Sequence, residues 1–188
     1  MLNNNMSKHE IEKELEKKGK FVQISYLTNF LKEELTFETK KFVFFKLANL
    51  YESIGMFKDA ARMYHNIALI SIIFTEKIKN HMKEAELFLR TGDFEKVNEA
   101  IKKALNQGNA SEKAEIFFNL KTMYKNQAEI FEKSLKRNQA RKIYERLLEF
   151  NISESEKIEI KKKLLPLYEK LGKLKEYFIL KKSLNDNI

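Results

Sequence analysis

Three glycines, Gly19, Gly55 and Gly92, stand 36 and 37 residues apart in a chain of 188 residues that has only five glycines and one proline. In so turn-poor a sequence each glycine interrupts long segments in which apolar residues recur at three- and four-residue steps, the spacing of an amphipathic helix. An interval of that length holds two helices of roughly three to four turns and their turns. The fold class that follows is all-α, a succession of helix-turn-helix hairpins. At 43% hydrophobic residues, with Phe and Tyr numbering 15 and 7, such hairpins have ample apolar surface to bury against one another.

The stretch from Phe44 to Ala68 shows the unit most fully. Phe44, Leu47, Ala48 and Tyr51 line one face of a first helix; Ala60, Tyr64, Ile67 and Ala68 line a second; Gly55 sits between them, with Phe57 placed to pack back across the corner. Ala48 and Ala60 are small where two helices approach closely. Tyr51, Phe57 and Tyr64 are large and fill the space around that contact. This pattern resembles a tetratricopeptide repeat. The resemblance implies a right-handed α-solenoid of about five hairpins forming one domain, with units at about 7–37, 39–75, 77–107, 111–150 and 154–184. The aromatic residues, Phe88 and Phe94 among them, are then core rather than a ligand cage.

The other units are read from the same spacing. Around Gly19 stand Leu15, Phe21, Ile24 and Leu27, with Ser7 and Glu10 placed for a capping box. Around Gly92 stand Ala85, Phe88, Phe94, Val97, Ile101 and Ala104. Residues 111–135 carry Ile116, Phe117, Leu120, Met123, Tyr124, Ala128 and Phe131 with no glycine or proline, which favours one long helix. A turn near Arg137 and Asn138 then leads to Ala140, Ile143, Tyr144 and Leu147. The last unit places Leu165 and Tyr168 before Gly172, and Leu174, Tyr177 and Leu180 after it. Pro166 is expected to kink its helix, and the tail from Asn185 to Ile188 to fray. The run Ile67–Phe74 (IALISIIF) is far shorter than the roughly 20 residues a membrane span needs and is expected to form a helix buried on most sides.

The first twenty residues have neither the apolar segment of a secretory signal nor the acid-poor composition of a transit peptide, and cysteine is absent. A cytoplasmic protein with no membrane association is expected. Enzyme chemistry has little to work with. The three histidines, His9, His65 and His81, fall in three different units, and no phosphate loop or nucleophile elbow occurs. Neither metal, cofactor nor catalytic residue is expected.

Two partner classes remain. Matching the hairpins to the tetratricopeptide pattern implies a concave groove lined by the first helix of each unit. It would take Phe42, Phe45 and Asn49 from the second unit, Lys79, Met82, Lys83 and Glu86 from the third, and Lys125, Asn126 and Glu129 from the fourth. The resemblance thus implies an adaptor for a peptide or protein. Asn49, Lys79 and Lys83 suit acidic groups. Phe45 stands where carboxylate-clamping members of the family carry a lysine, so a chaperone-tail clamp is not expected.

The alternative partner is RNA. Of the formal net charge of +9, +7 falls after Phe94. An anion-binding patch would use Arg137, Arg141, Lys142, Lys161 and Lys162, unless these are solvated outer faces. The segment Ala140–Phe150 (ARKIYERLLEF) resembles the second helix of half-tetratricopeptide repeats in RNA-processing scaffolds, though the units around Gly55 and Gly92 lack its pattern.

Overall fold

The computed structural model describes residues 2–185. Every regular element among them is a helix: α1 (Lys8–Glu16), α2 (Lys20–Phe30), α3 (Phe37–Ser53), α4 (Phe57–Ile70), α5 (Phe74–Thr91), α6 (Phe94–Gln107), α7 (Ala110–Lys133), α8 (Arg137–Leu148), α9 (Glu154–Lys170) and α10 (Leu174–Asn185). Paired in order they make five hairpins, α1–α2 to α9–α10. The chain groups into two compact units, Met1–Lys113 and Ala114–Ile188, and each is described by itself. Residues 186–188, where fraying was expected, lie outside the described residues; Asn185 ends α10.

Hairpins two to five turn in one way. One of the two residues just beyond the first helix is left-handed: Gly55 at φ 77°, Gly92 at 74° and Gly172 at 68°. In each turn the next N–H donates to a carbonyl five residues back. Met56 donates to Tyr51 at 2.9 Å, Asp93 to Phe88 at 3.1 Å, Lys136 to Phe131 at 2.8 Å and Lys173 to Tyr168 at 2.9 Å. This closure satisfies carbonyls that a helix end leaves open, and an aromatic residue accepts every time.

The fourth turn has no glycine. Leu135, at φ 56°, takes the left-handed place. The turn therefore lies at 134–136, and Arg137 already begins α8 rather than forming the turn. The left-handed residues are spaced 37, 43 and 37 apart; the six extra residues match the excess of α7, one 24-residue helix, over the 18 residues of α5. The first hairpin differs, because Gly19 is the N-cap of α2 at φ −62°. Ser7 and Glu10 form the expected capping box, and Ser153 and Glu156 form another at α9.

In the first unit α4 packs between α3 and α5, and α6 packs on α5. Val43, Leu47, Ala60, Ala61, Ile67, Ala85, Leu87, Leu89, Val97 and Ala104 are wholly or almost wholly buried, each large one contributing about 1.5–3 kcal/mol. In the second unit α9 packs on α8 and α10 around Ile143, Leu147 and Leu164.

Three further expectations fail. Ile67–Phe74 is not one buried helix. Ser71, whose hydroxyl donates to the Ile67 carbonyl, takes ψ 140° and stops α4; Ile72, Ile73 and Phe74 then cross to α5 at 80, 63 and 60% exposure. In the last hairpin Leu164 and Leu167, not Leu165, are buried before Gly172, and α10 buries no residue fully because only its α9 side is covered among the described residues. Phe21 and Phe117 are largely exposed instead of core. Pro166 lies inside α9, which continues through it.

Polar pairs repeat at an interval of 80 residues. The hydroxyl of Tyr64 donates to Glu52 at 3.1 Å, and Lys83 of the next hairpin approaches Glu52 at 3.4 Å. In the second unit Tyr144 donates to Glu132 at 2.6 Å, with Lys163 at 3.9 Å. Lys41–Glu76 recurs as Lys121–Glu156. The polar contacts between hairpins two and three thus recur, 80 residues on, between hairpins four and five.

Candidate functional site

The first helices of the second and third hairpins carry the expected groove residues of the first unit. α3 and α5 are tied together by Lys41 with Glu76 and Lys83 with Glu52. Phe42 is half-buried against the N-terminal core of Leu2, Ile11, Leu15, Leu27 and Phe30, and the Lys46 ammonium sits 5.6 Å from its ring centroid. Phe45 is half-buried edge-on against Tyr64 at 6.1 Å. Lys83 divides its charge between Glu52 and Glu86, and Arg90 holds the other side of Glu86. Met82 is half-buried. Asn49 and Lys79 are left as the exposed polar members of the set.

In the second unit Lys125 shares Glu156 with Lys121, at 3.3 and 2.9 Å. The Lys121 bond, the Ser153 backbone N–H and Lys125 together push the Glu156 carboxyl down to about 2. Asn126 and Glu129 are exposed, as are Arg137, Lys142 and Lys162; Lys161 is half-buried. Arg141 differs from the other basic residues. Its side chain is 13% exposed, its guanidinium grips both oxygens of Glu145 at 2.6 Å, and it reaches Asn138 at 3.0 Å. Glu145 also accepts the Tyr168 hydroxyl at 2.8 Å. Arg141 is built into the hairpin contact, and of the five expected patch residues the exposed ones are Arg137, Lys142 and Lys162.

Beside these groups lies a cleft of about 630 Å³ between the start of α7 and the α8–α9 connection, lined by Phe117, Phe118, Leu120, Lys121, Phe150 and Ile152 with Glu149 and Asn151. Phe117 and Phe118 are 57 and 64% exposed. Phe150 is held at 5.1 Å against the buried Tyr124. An aromatic wall with one cation and one anion at its edge can take an apolar side chain and orient the backbone that carries it.

A second cluster escaped the sequence reading, which treated the histidines as dispersed. His65 on α4 and His81 on α5 meet with ring centroids 5.7 Å apart. Their Nδ1 atoms lie 3.1 and 2.9 Å from one oxygen, Oε2 of Glu84. Burial works against the Glu84 charge, but the His81 and His65 contacts and the Lys103 charge outweigh it and hold the carboxyl below the usual range. The signal was available. Helices joined by a connection as short as 71–73 run antiparallel, so residues about equally far from it on either side face each other.

Comparison with models of known protein families gives no match, and comparison with curated proteins gives none. Among solved structures the chain is similar to the crystal structure of BtubC (BKLC) from P. vanneervenii, at 16% identity over 95% of this chain and 78% of that one, with a TM-score of 0.41.

Proposed function

We propose that this protein is a non-catalytic interaction scaffold, built of tetratricopeptide-like hairpins, that binds a peptide or protein partner. The observation that carries the reading is the cleft between α7 and the α8–α9 connection. Large aromatic side chains exposed together in a concavity cost solvation free energy and are the ordinary mark of a partner site. Glu149 and Asn151 in its lining supply polar groups for a bound backbone. Asn49 and Lys79 supply a polar face in the other unit that suits acidic side chains. Among the described residues no helix is long and apolar enough to cross a membrane; a cytoplasmic location belongs to the same proposal, as does the absence of catalysis.

The test is capture from cell lysate by the purified full chain, with protein and RNA analysed separately as salt is raised. Apolar anchoring predicts protein partners retained through the rise and lost with Phe117→Asp, which changes an exposed side chain. RNA released by modest salt, and released at still lower salt from Arg137→Ala and Lys162→Ala chains, would replace this reading by phosphate binding.

A further inference from the structure

We propose that His65, His81 and Glu84 form a binding site for a divalent transition-metal ion of the zinc, cobalt or nickel type, held between α4 and α5 in the joint between the second and third hairpins.

The donor set suits such an ion. Two imidazoles and one carboxylate offer three ligand atoms, all within 4.8 Å of one another. Metal–ligand bonds of about 2.0–2.2 Å place adjacent ligand atoms roughly 3.0–3.6 Å apart. The two Nδ1 atoms already stand 3.1 and 2.9 Å from Oε2 of Glu84, close to that spacing on two of the three edges. Each ring must present a lone pair at Nδ1. A neutral ring does so by carrying its proton on Nε2, and a charged ring by releasing one proton to solvent. Glu84 supplies the compensating negative charge. Three protein ligands leave at least one coordination position for water, the open arrangement rather than the closed four-ligand one.

Access and burial are also suited. The side chains of His81 and Glu84 are 6 and 7% exposed, which fixes their rotamers, while that of His65 is 28% exposed and gives the ion a path from solvent.

Hairpin packing does not itself demand the cluster. At the positions 80 residues later, where the polar contacts of these hairpins recur, the chain has Glu145, Lys161 and Leu164. Leu164 is wholly buried in the place of Glu84. An apolar residue therefore serves the joint in one unit, and the other carries a buried carboxylate whose desolvation is costly unless it is paired.

The experiment uses the full chain stripped with chelator, titrated with zinc chloride by calorimetry and with cobalt chloride by visible absorption. The expected result is one equivalent bound, a cobalt absorption band from nitrogen and oxygen ligands, and a higher melting temperature with zinc. His65→Ala and Glu84→Gln should weaken zinc by at least about tenfold, while His9→Ala, at an exposed position of α1, leaves it unchanged. Circular dichroism checks the fold of each variant, with His65→Gln in reserve if His65→Ala unfolds. No binding by the unmodified chain at millimolar metal overturns the proposal. So does binding undiminished in folded His65→Ala or His65→Gln.

Discussion

Gly55 and Leu135 hold the same place in two hairpins, and their side chains set opposite expectations. At Gly55 a Cβ would meet nothing within 4 Å, so substitution costs backbone strain alone. Gly55→Val should lower stability by more than about 1 kcal/mol, since a β-branched residue is strongly disfavoured at φ 77°. Leu135 already bears a penalty of that kind, and its side chain is 71% exposed, so little packing is lost with it. Leu135→Gly should raise stability by about 0.5–1 kcal/mol, the relief of strain exceeding the extra entropy of the unfolded glycine. Thermal melts of both variants check the pair; a loss of stability in Leu135→Gly would mean that its side chain contributes contacts worth more than the strain.

Tyrosine ionisation gives a second expectation at this scale. Burial, then the Glu52 charge and hydrogen bond, push Tyr64 up to about 12; burial, partly offset by Arg146, does the same for Tyr124. A raised folded pKa means stability that is complete below the ordinary value near 10 and is lost as pH rises through about 12. Tyrosinate absorbance followed from neutral to alkaline pH should show a late-titrating class that coincides with loss of helical dichroism. Tyr64→Phe should shrink that class, and a single early transition for all tyrosines would contradict it.

Between elements, the Glu132–Tyr144 pair joins the two helices of the fourth hairpin, and hairpin three carries Leu89 and Ile101 at the corresponding places, with Leu89 wholly buried and Ile101 nearly so. The hairpin thus accepts either a satisfied polar pair or an apolar one. Glu132→Leu alone strands a buried hydroxyl and should cost about 1–3 kcal/mol, whereas Glu132→Leu with Tyr144→Phe should recover most of that loss. Chemical denaturation of the four chains measures the coupling, and additive effects would remove the pair from the account. The same comparison explains what the sequence could disclose. Gly55, Gly92 and Gly172 announced their turns because glycine is the residue that left-handed backbone selects. Leu135 announced nothing, since the turn is imposed there by the Lys136–Phe131 closure and by the Tyr144–Glu132 bond between α7 and α8. Ile67–Phe74 misled because an apolar run gives no phase, and a serine hydroxyl ended the helix. Of the groove and patch residues, spacing gave the helices correctly, but not that Lys83 and Lys125 spend their charge on carboxylates of neighbouring helices, or that Arg141 spends its own on Glu145 one turn along α8. The meeting of His65 with His81 depends on the short α4–α5 connection, which that misreading concealed.

For the molecule as a whole, the division at Lys113 and Ala114 has an energetic counterpart that can be measured. In stacked hairpins stability is roughly a sum of hairpin terms and nearest-neighbour contacts, so a local loss spreads first to the elements packed on it. α4 packs on α3 and α5, and α5 on α6. Strain introduced by Gly55→Val should therefore lower amide protection across α3 to α6 by a common factor, roughly fivefold or more for a loss above 1 kcal/mol. Amides of α8 to α10, which have their own core around Ile143, Leu147 and Leu164, should exchange as before. Leu135→Gly should do the reverse, slowing exchange in α8 to α10 and leaving α3 to α6 untouched. Native-state hydrogen exchange resolved by peptide distinguishes this from the alternative. If either substitution shifts both groups of helices by the same factor, the chain unfolds as one cooperative body, and the two compact units are a feature of geometry with no separate stability.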